Sequence, residues 1–297
     1  VGREFLGDSC YFSHFNFSVE DNMKKIVFCF AFIAALGCSN AVFANNALEA
    51  FKGQEGIVKV AGGTAHIPVI KEVAKRIARF NPKVIVTVAG GGSGVGIRQV
   101  GEGLVDIGNA GRSATEEEIS HYNLVQVKWA VDGVGVVVSP KNSVKSLSTK
   151  QLQQVFAGAI SNWKELGGED HAIDLYDRDS ASGTREVFVK KALKKGAVNG
   201  GANVVVSNGA MKTAIAGDPY GIGYVSVGHI DSTVTPVALD GVVPTIPAVQ
   251  DGSYPVARGL YSSTRGKATG LSALLLNYLL SPEGQKIVEE NGFIGVK

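Results

Sequence analysis

The chain has 297 residues, 45% of them hydrophobic and 8% aromatic, with a formal charge of +2 and 38 glycines. That length exceeds one typical domain and predicts two compact lobes, while the composition excludes the disordered and fibrous classes. Cations are dense only at Lys24-Lys25 and between Lys190 and Lys195, which argues against a nucleic-acid partner.

Met23-Lys24-Lys25 opens a charged stretch, Ile26 to Gly37 is a short apolar run, and Val42-Phe43-Ala44 supplies small residues for a peptidase. Together they read as a signal peptide over 23–44, cleaved after Ala44, which places the protein in the periplasm. The apolar run falls short of the roughly 20 residues that a spanning helix needs. Translation is expected to start at Met23, with residues 1–22 an upstream segment foreign to the natural protein. Cys10, Cys29 and Cys38 all lie in this leader, so the exported chain offers no thiol chemistry. Ala35-Leu36-Gly37-Cys38 is also an imperfect lipoprotein box, and acylation at Cys38 is the alternative processing route.

Beyond the leader, short β-branched runs alternate with helical stretches. Ile57–Ala61 predicts a strand, and His66–Phe80, with Ile67, Ile70, Val73, Ile77 and Phe80 near one face, predicts a helix. Val84–Ala89 is a strand, Gly94–Glu102 a short helix, and Val105–Asn109 a third strand. This β-α-β-α-β order argues a mostly parallel sheet flanked by helices. Val134–Ser139 predicts a strand that crosses to the other lobe. A second set follows: helix Ser148–Phe156, strand Ile173–Tyr176, helix Thr184–Lys194, and strands Val204–Ser207 and Gly221–Val227. Thr235 to Ser263 carries Pro236, Pro244, Pro247 and Pro255 and reads as a return connection. Helices Gly270–Leu280 and Pro282–Asn291 close the chain. The lobes are therefore expected at 45–136 plus 236–297 and at 137–235.

Three places share one local design, a β-rich run followed by glycine and hydroxyl residues and a helix start. They are Gly62-Gly63-Thr64, Gly91-Gly92-Ser93-Gly94 and Ser182-Gly183-Thr184. A helix start presents unsatisfied N–H groups and partial positive charge, so it suits an anion, and hydroxyls add donors. Any one of Thr64, Ser93 and Ser182 is equally an ordinary helix cap. Arg178, four residues before Ser182, adds a planar guanidinium able to hold two oxygens of a tetrahedral oxyanion, with Asp177 or Asp179 to orient it.

Asp177 to Arg185, together with Ala61–Pro68, Gly90–Ile97 and Asp106–Arg112, resembles the binding loops of the substrate-binding proteins of phosphate-specific ABC transporters. The resemblance spans Ile57 to Lys297 and includes Ile222–Val225 and Tyr254-Pro255. It implies an α/β fold of the two-lobed periplasmic binding protein kind (type II), each lobe a mostly parallel sheet and the two joined by a two-strand hinge. It also implies closure over dehydrated inorganic phosphate and delivery to membrane permease subunits by a monomer that needs no cofactor and no metal. By position, Thr64 and Ser93 would give hydroxyl and N–H, Ala65 its N–H, Arg178 its guanidinium, and Ser182, Gly183 and Thr184 a run of donors. Gly111 stands where members of the family place an aspartate to accept the proton of hydrogen phosphate. That departure bears on discrimination from sulfate or arsenate, and Arg112 is expected to add positive charge near the cleft.

Other classes find less support. Gly91-Gly92-Ser93-Gly94-Val95 lacks the closing glycine of a nucleophile elbow, which counts against a hydrolase. The five histidines show no metal-ligand spacing, and neither a Walker A loop nor a dinucleotide turn occurs. A surface adhesin sharing the fold is the remaining rival of a different class.

Overall fold

The computed structural model describes residues 46–296; the leader and its three cysteines lie outside the described residues. Strands β1 (Gly56–Gly62), β2 (Val84–Gly91) and β3 (Ile107–Ala110) are parallel, with β1 in the middle. Helix α1 (Ile67–Phe80) crosses between β1 and β2, and α2 (Ser93–Gly101) between β2 and β3. In α1 the buried residues Val69, Ile70, Val73 and Ile77 recur at helical spacing, and Pro68 sits in the first turn, where its missing N–H costs nothing. Each such side chain contributes on the order of 1.5–3 kcal/mol by leaving water. Phe80, expected on the same face, is 37% exposed, so the apolar stripe stops at Ile77.

The long strand β4 (Leu124–Val138) joins the lobes. A second parallel set consists of β5 (Asp174–Arg178), β6 (Asn203–Val205) and β7 (Gly221–Ser226), with β5 in the middle. Helix α3 (Gly183–Val187) continues as a wider π turn over Phe188–Ala192, and α4 (Asn208–Gly217) packs on β7 through Met211 and Ile215. Strand β8 (Ala257–Arg265) lies antiparallel between β3 and β4, so the strand order is β2-β1-β3-β8-β4-β7-β5-β6.

Strand β4 changes partner midway. Up to Gly133 it pairs with β8, and from Val134 to Val138 with β7. The crossing strand expected at Val134–Ser139 thus begins ten residues earlier, at Leu124. Two buried cores flank this point, one with Phe51, Trp129, Leu260, Leu275 and Phe293, the other with Phe156, Trp163, Phe188, Tyr224 and Tyr254.

Residues 236–256, expected with the first lobe, pack instead against the second core, where Val237, Leu239, Val249, Tyr254 and Val256 are buried. The prolines there shape a packed segment, and the chain returns only at Ala257. Strand β8 and helix α4 were not foreseen, nor was the helix Glu116–Tyr122, whose capping box joins Thr115 and Glu118.

Candidate functional site

All eight candidate residues, Thr64, Ala65, Ser93, Gly111, Arg178, Ser182, Gly183 and Thr184, line one small cavity of about 10 Å³ between the two cores. His66 and Arg258 line it as well, and no carboxylate does.

Of the three hydroxyl-bearing helix starts, only Ser182 acts as a cap, its Oγ accepting from the Arg185 N–H at 3.2 Å. Ser93 is the first residue of α2, and its Oγ accepts from the Gly111 N–H at 2.9 Å. The Thr64 Oγ1 accepts from both the backbone N–H (3.2 Å) and the Nδ2 (3.0 Å) of Asn208. The Thr184 Oγ1 accepts from Arg258 Nη1 at 2.9 Å. A hydroxyl has one proton and two lone pairs, so filling the lone pairs from the protein leaves the proton to be given away. Thr64, with both lone pairs filled, is thereby set as a donor, and Ser93 and Thr184, each held by an accepted bond, keep a proton to give.

Arg178 is buried, 2% exposed, at the end of β5. Its Nε donates to the Val205 carbonyl at 3.0 Å and its Nη2 to the Val206 carbonyl at 3.1 Å, while Nη1 is buried with no partner. Carbonyls of the neighbouring strand therefore orient this side chain, in place of the aspartates expected in that role. Asp179 stands 3.9 Å away, and Asp177 pairs instead with Arg185 Nε at 2.8 Å and with the Tyr224 hydroxyl. Burial pulls the Arg178 guanidinium down from its ordinary range, with Asp179 opposing.

Arg258 and Asp132 carry no local sequence signal, yet they form the most buried ion pair of the site, at 3% and 0% side-chain exposure. They face each other in register on β8 and β4, just before β4 changes partner. Arg258 Nε donates to Asp132 Oδ2 at 2.9 Å, and Ser226 Oγ to Asp132 Oδ1 at 2.9 Å. Burial pushes the Asp132 carboxyl up against the pull of Arg258. Nη2 of Arg258 lies 2.8 Å from the same Oδ2 but out of line for a hydrogen bond, so its N–H groups are left without a partner.

His66 is fully buried beneath the cavity, edge-on to Trp129 with ring centroids 5.4 Å apart. Burial, aided by the Arg258 charge, lowers its pKa to about 3, so the ring is neutral. Arg112 is not the free cation expected: Glu118 takes its Nη1 and Nη2 at 2.7 and 2.8 Å, and Glu186 of the other lobe its Nε at 2.8 Å. The lobes also touch directly where the Gly94 N–H meets the Ala181 carbonyl at 3.1 Å. Gly92 permits that approach, since it adopts φ 88° and a Cβ there would stand 2.5 Å from the Ala181 oxygen. Among the described residues no group of His, Cys, Asp and Glu could hold a metal ion, and no helix is long and apolar enough to cross a membrane.

The arrangement suits a small anion rich in acceptor oxygens. A family model described as a PBP superfamily domain matches residues 49–283. The phosphate-binding protein PstS of Bacillus subtilis is 39% identical over 281 residues, covering 92% of this chain and 93% of its own. That of Borreliella burgdorferi is 29% identical, covering 82% and 91%. A Clostridium perfringens protein crystallised with bound phosphate, and assigned as a phosphate ABC transporter substrate-binding protein, superposes with a TM-score of 0.76 at 31% identity. The match covers 82% of this chain and 100% of that one. The chain belongs to the PstS family of phosphate-binding proteins, within the PBP superfamily.

Proposed function

We propose that this protein captures inorganic phosphate outside the cytoplasmic membrane and hands it, as a monomer, to the permease subunits of an ABC importer. One observation carries the reading: three donor hydroxyls and two guanidiniums with unspent N–H groups converge on a small cavity with no carboxylate in its wall. Charge-assisted hydrogen bonds are the strong ones, and here they replace the hydration shell of the anion. In this reading Thr64, Ser93 and Thr184 donate hydroxyl protons, Ala65, Ser182 and Gly183 offer backbone N–H groups, Gly111 closes the wall, and Arg178 supplies positive charge. In this reading the site binds without catalysis, and the Ser93 Oγ, held by the Gly111 N–H, turns its proton to the anion.

Calorimetric titration of phosphate-free protein with phosphate, sulfate and molybdate tests the proposal. Tight binding of phosphate is the expected result, and absence of heat with any oxyanion would overturn it. A second reading, a carrier of another tetrahedral oxyanion such as sulfate, is favoured by the glycine at 111 where an acceptor for the phosphate proton would stand. Sulfate binding tighter than phosphate binding in the same titration would establish it. Turnover of a phosphate ester that disappears in Ser93→Ala would revive the hydrolase reading.

A further inference from the structure

We infer that Arg258 is a second anion-binding arginine, held at the junction of the lobes by Asp132, and that with Arg178 it fits the site to doubly charged tetrahedral oxyanions. The inference rests on the phosphate reading above and adds to it a residue and a rule of selection.

Four observations lead there. Arg258 lines the cavity, and its side chain is 3% exposed. Its Nη2 is buried 2.8 Å from Asp132 Oδ2 but makes no aligned hydrogen bond, and Nη1 of Arg178, which lines the same cavity, is buried with no partner. A buried donor left unmatched is costly, and two of them on one cavity are explained together by a shared acceptor-rich ligand. Asp132 is engaged by Arg258 and by the Ser226 hydroxyl and does not line the cavity, so it fixes the guanidinium from behind. Finally, a Cβ on Gly111 would stand 2.6 Å from Arg258 Nη1. The space that a larger residue at 111 would fill is already taken by positive charge, so the glycine makes room for the arginine. Selection then works by counting charge, because two guanidiniums meet the anion and no carboxylate accepts a proton from it.

The test measures phosphate binding by calorimetry in the full chain for D132N/R258Q, which removes both buried charges together, and for R258K, which keeps the pair with Asp132 but withdraws the fork. Each is expected to bind phosphate roughly 10- to 100-fold more weakly, the range for losing a charged hydrogen-bond donor. Wild-type affinity in either folded variant would overturn the inference and leave the phosphate reading intact, whereas wild-type protein that binds no phosphate would overturn the latter. Binding by the wild type across the second ionisation of phosphate gives a measurement free of folding defects. Affinity is expected to fall as the dianion becomes the monoanion, and equal affinity for the two would overturn the charge-counting rule.

Discussion

On the second-lobe wall of the cavity, Arg178 is fixed entirely within its own lobe, by the carbonyls of Val205 and Val206, and Ser182 by its own helix. On the first-lobe wall, the Thr64 hydroxyl has its lone pairs filled by Asn208, a residue of the other lobe. The Arg178–Ser182 part of the second-lobe wall is therefore preformed, whereas Thr64 on the first-lobe wall, and Thr184, which accepts from Arg258, are completed when the lobes meet. A ligand that draws the lobes together gains contacts that neither lobe offers alone, which is how closure acquires its free energy.

Changes to the preformed wall should cost the most. Arg178→Ala is expected to weaken phosphate binding about a hundredfold, roughly the 3 kcal/mol of a lost charged partner, as read by calorimetry. Unchanged affinity would mean that the preformed wall does not bind. An effect on folding of comparable size concerns the base of the first-lobe wall. His66 is neutral in the fold and charged in the unfolded chain below its ordinary pKa of 6.5, so the unfolded state binds the extra proton. Its contribution is complete above pH 6.5 and is lost as the pH falls toward about 3, by about 1.4 kcal/mol per pH unit. Urea unfolding between pH 7 and pH 4 should show a steeper loss of stability for wild type than for His66→Gln; parallel profiles would contradict this.

Smaller effects are expected from the contacts that span the cleft. Asn208→Ala removes the Nδ2 donor to Thr64 and leaves the backbone N–H in place, and should weaken phosphate binding by about 1 kcal/mol, mostly through faster release in stopped-flow measurements. A slower association with unchanged release would reverse the assignment of Asn208 to closure. Glu186→Gln opens the bond to Arg112 at the half-exposed rim, where Glu186 is 56% exposed. Exposed pairs contribute under about 1 kcal/mol, and the small loss expected should vanish in high salt. A loss that persists at high salt would mark this pair as part of the inner site.

The parts of the site legible in the sequence are those written in one short stretch. Thr64, Ser93 and the run from Arg178 to Thr184 each sit in a glycine-rich turn between a strand and a helix, and such turns are local. Asn208, Asp132 and Arg258 were invisible, because Asn208 meets Thr64 across 144 residues and Arg258 meets Asp132 across 126. No periodicity reports on such pairs. Strand β8 escaped for a related reason. Its buried residues include Arg258, Ser262, Ser263 and Thr264, so it lacks the apolar alternation that announces a strand. Their polar groups are satisfied by distant partners instead, Ser262 by Trp129 and Asn109, and Ser263 by Gln126. The return segment misled in the opposite way, since its prolines suggested an open connection while its apolar residues entered the second core.

The change of partners within β4, from β8 at Gly133 to β7 at Val134, acts as a fulcrum. One continuous strand runs through both lobes there, so any rotation of one lobe against the other has its shortest radius at that point. Travel grows with distance from a fulcrum. Asp132 and Arg258 sit beside it, while the Glu186–Arg112 pair lies toward the rim. A ligand seated against Arg258 thus works at the short arm of a lever and commands a much larger displacement at the mouth.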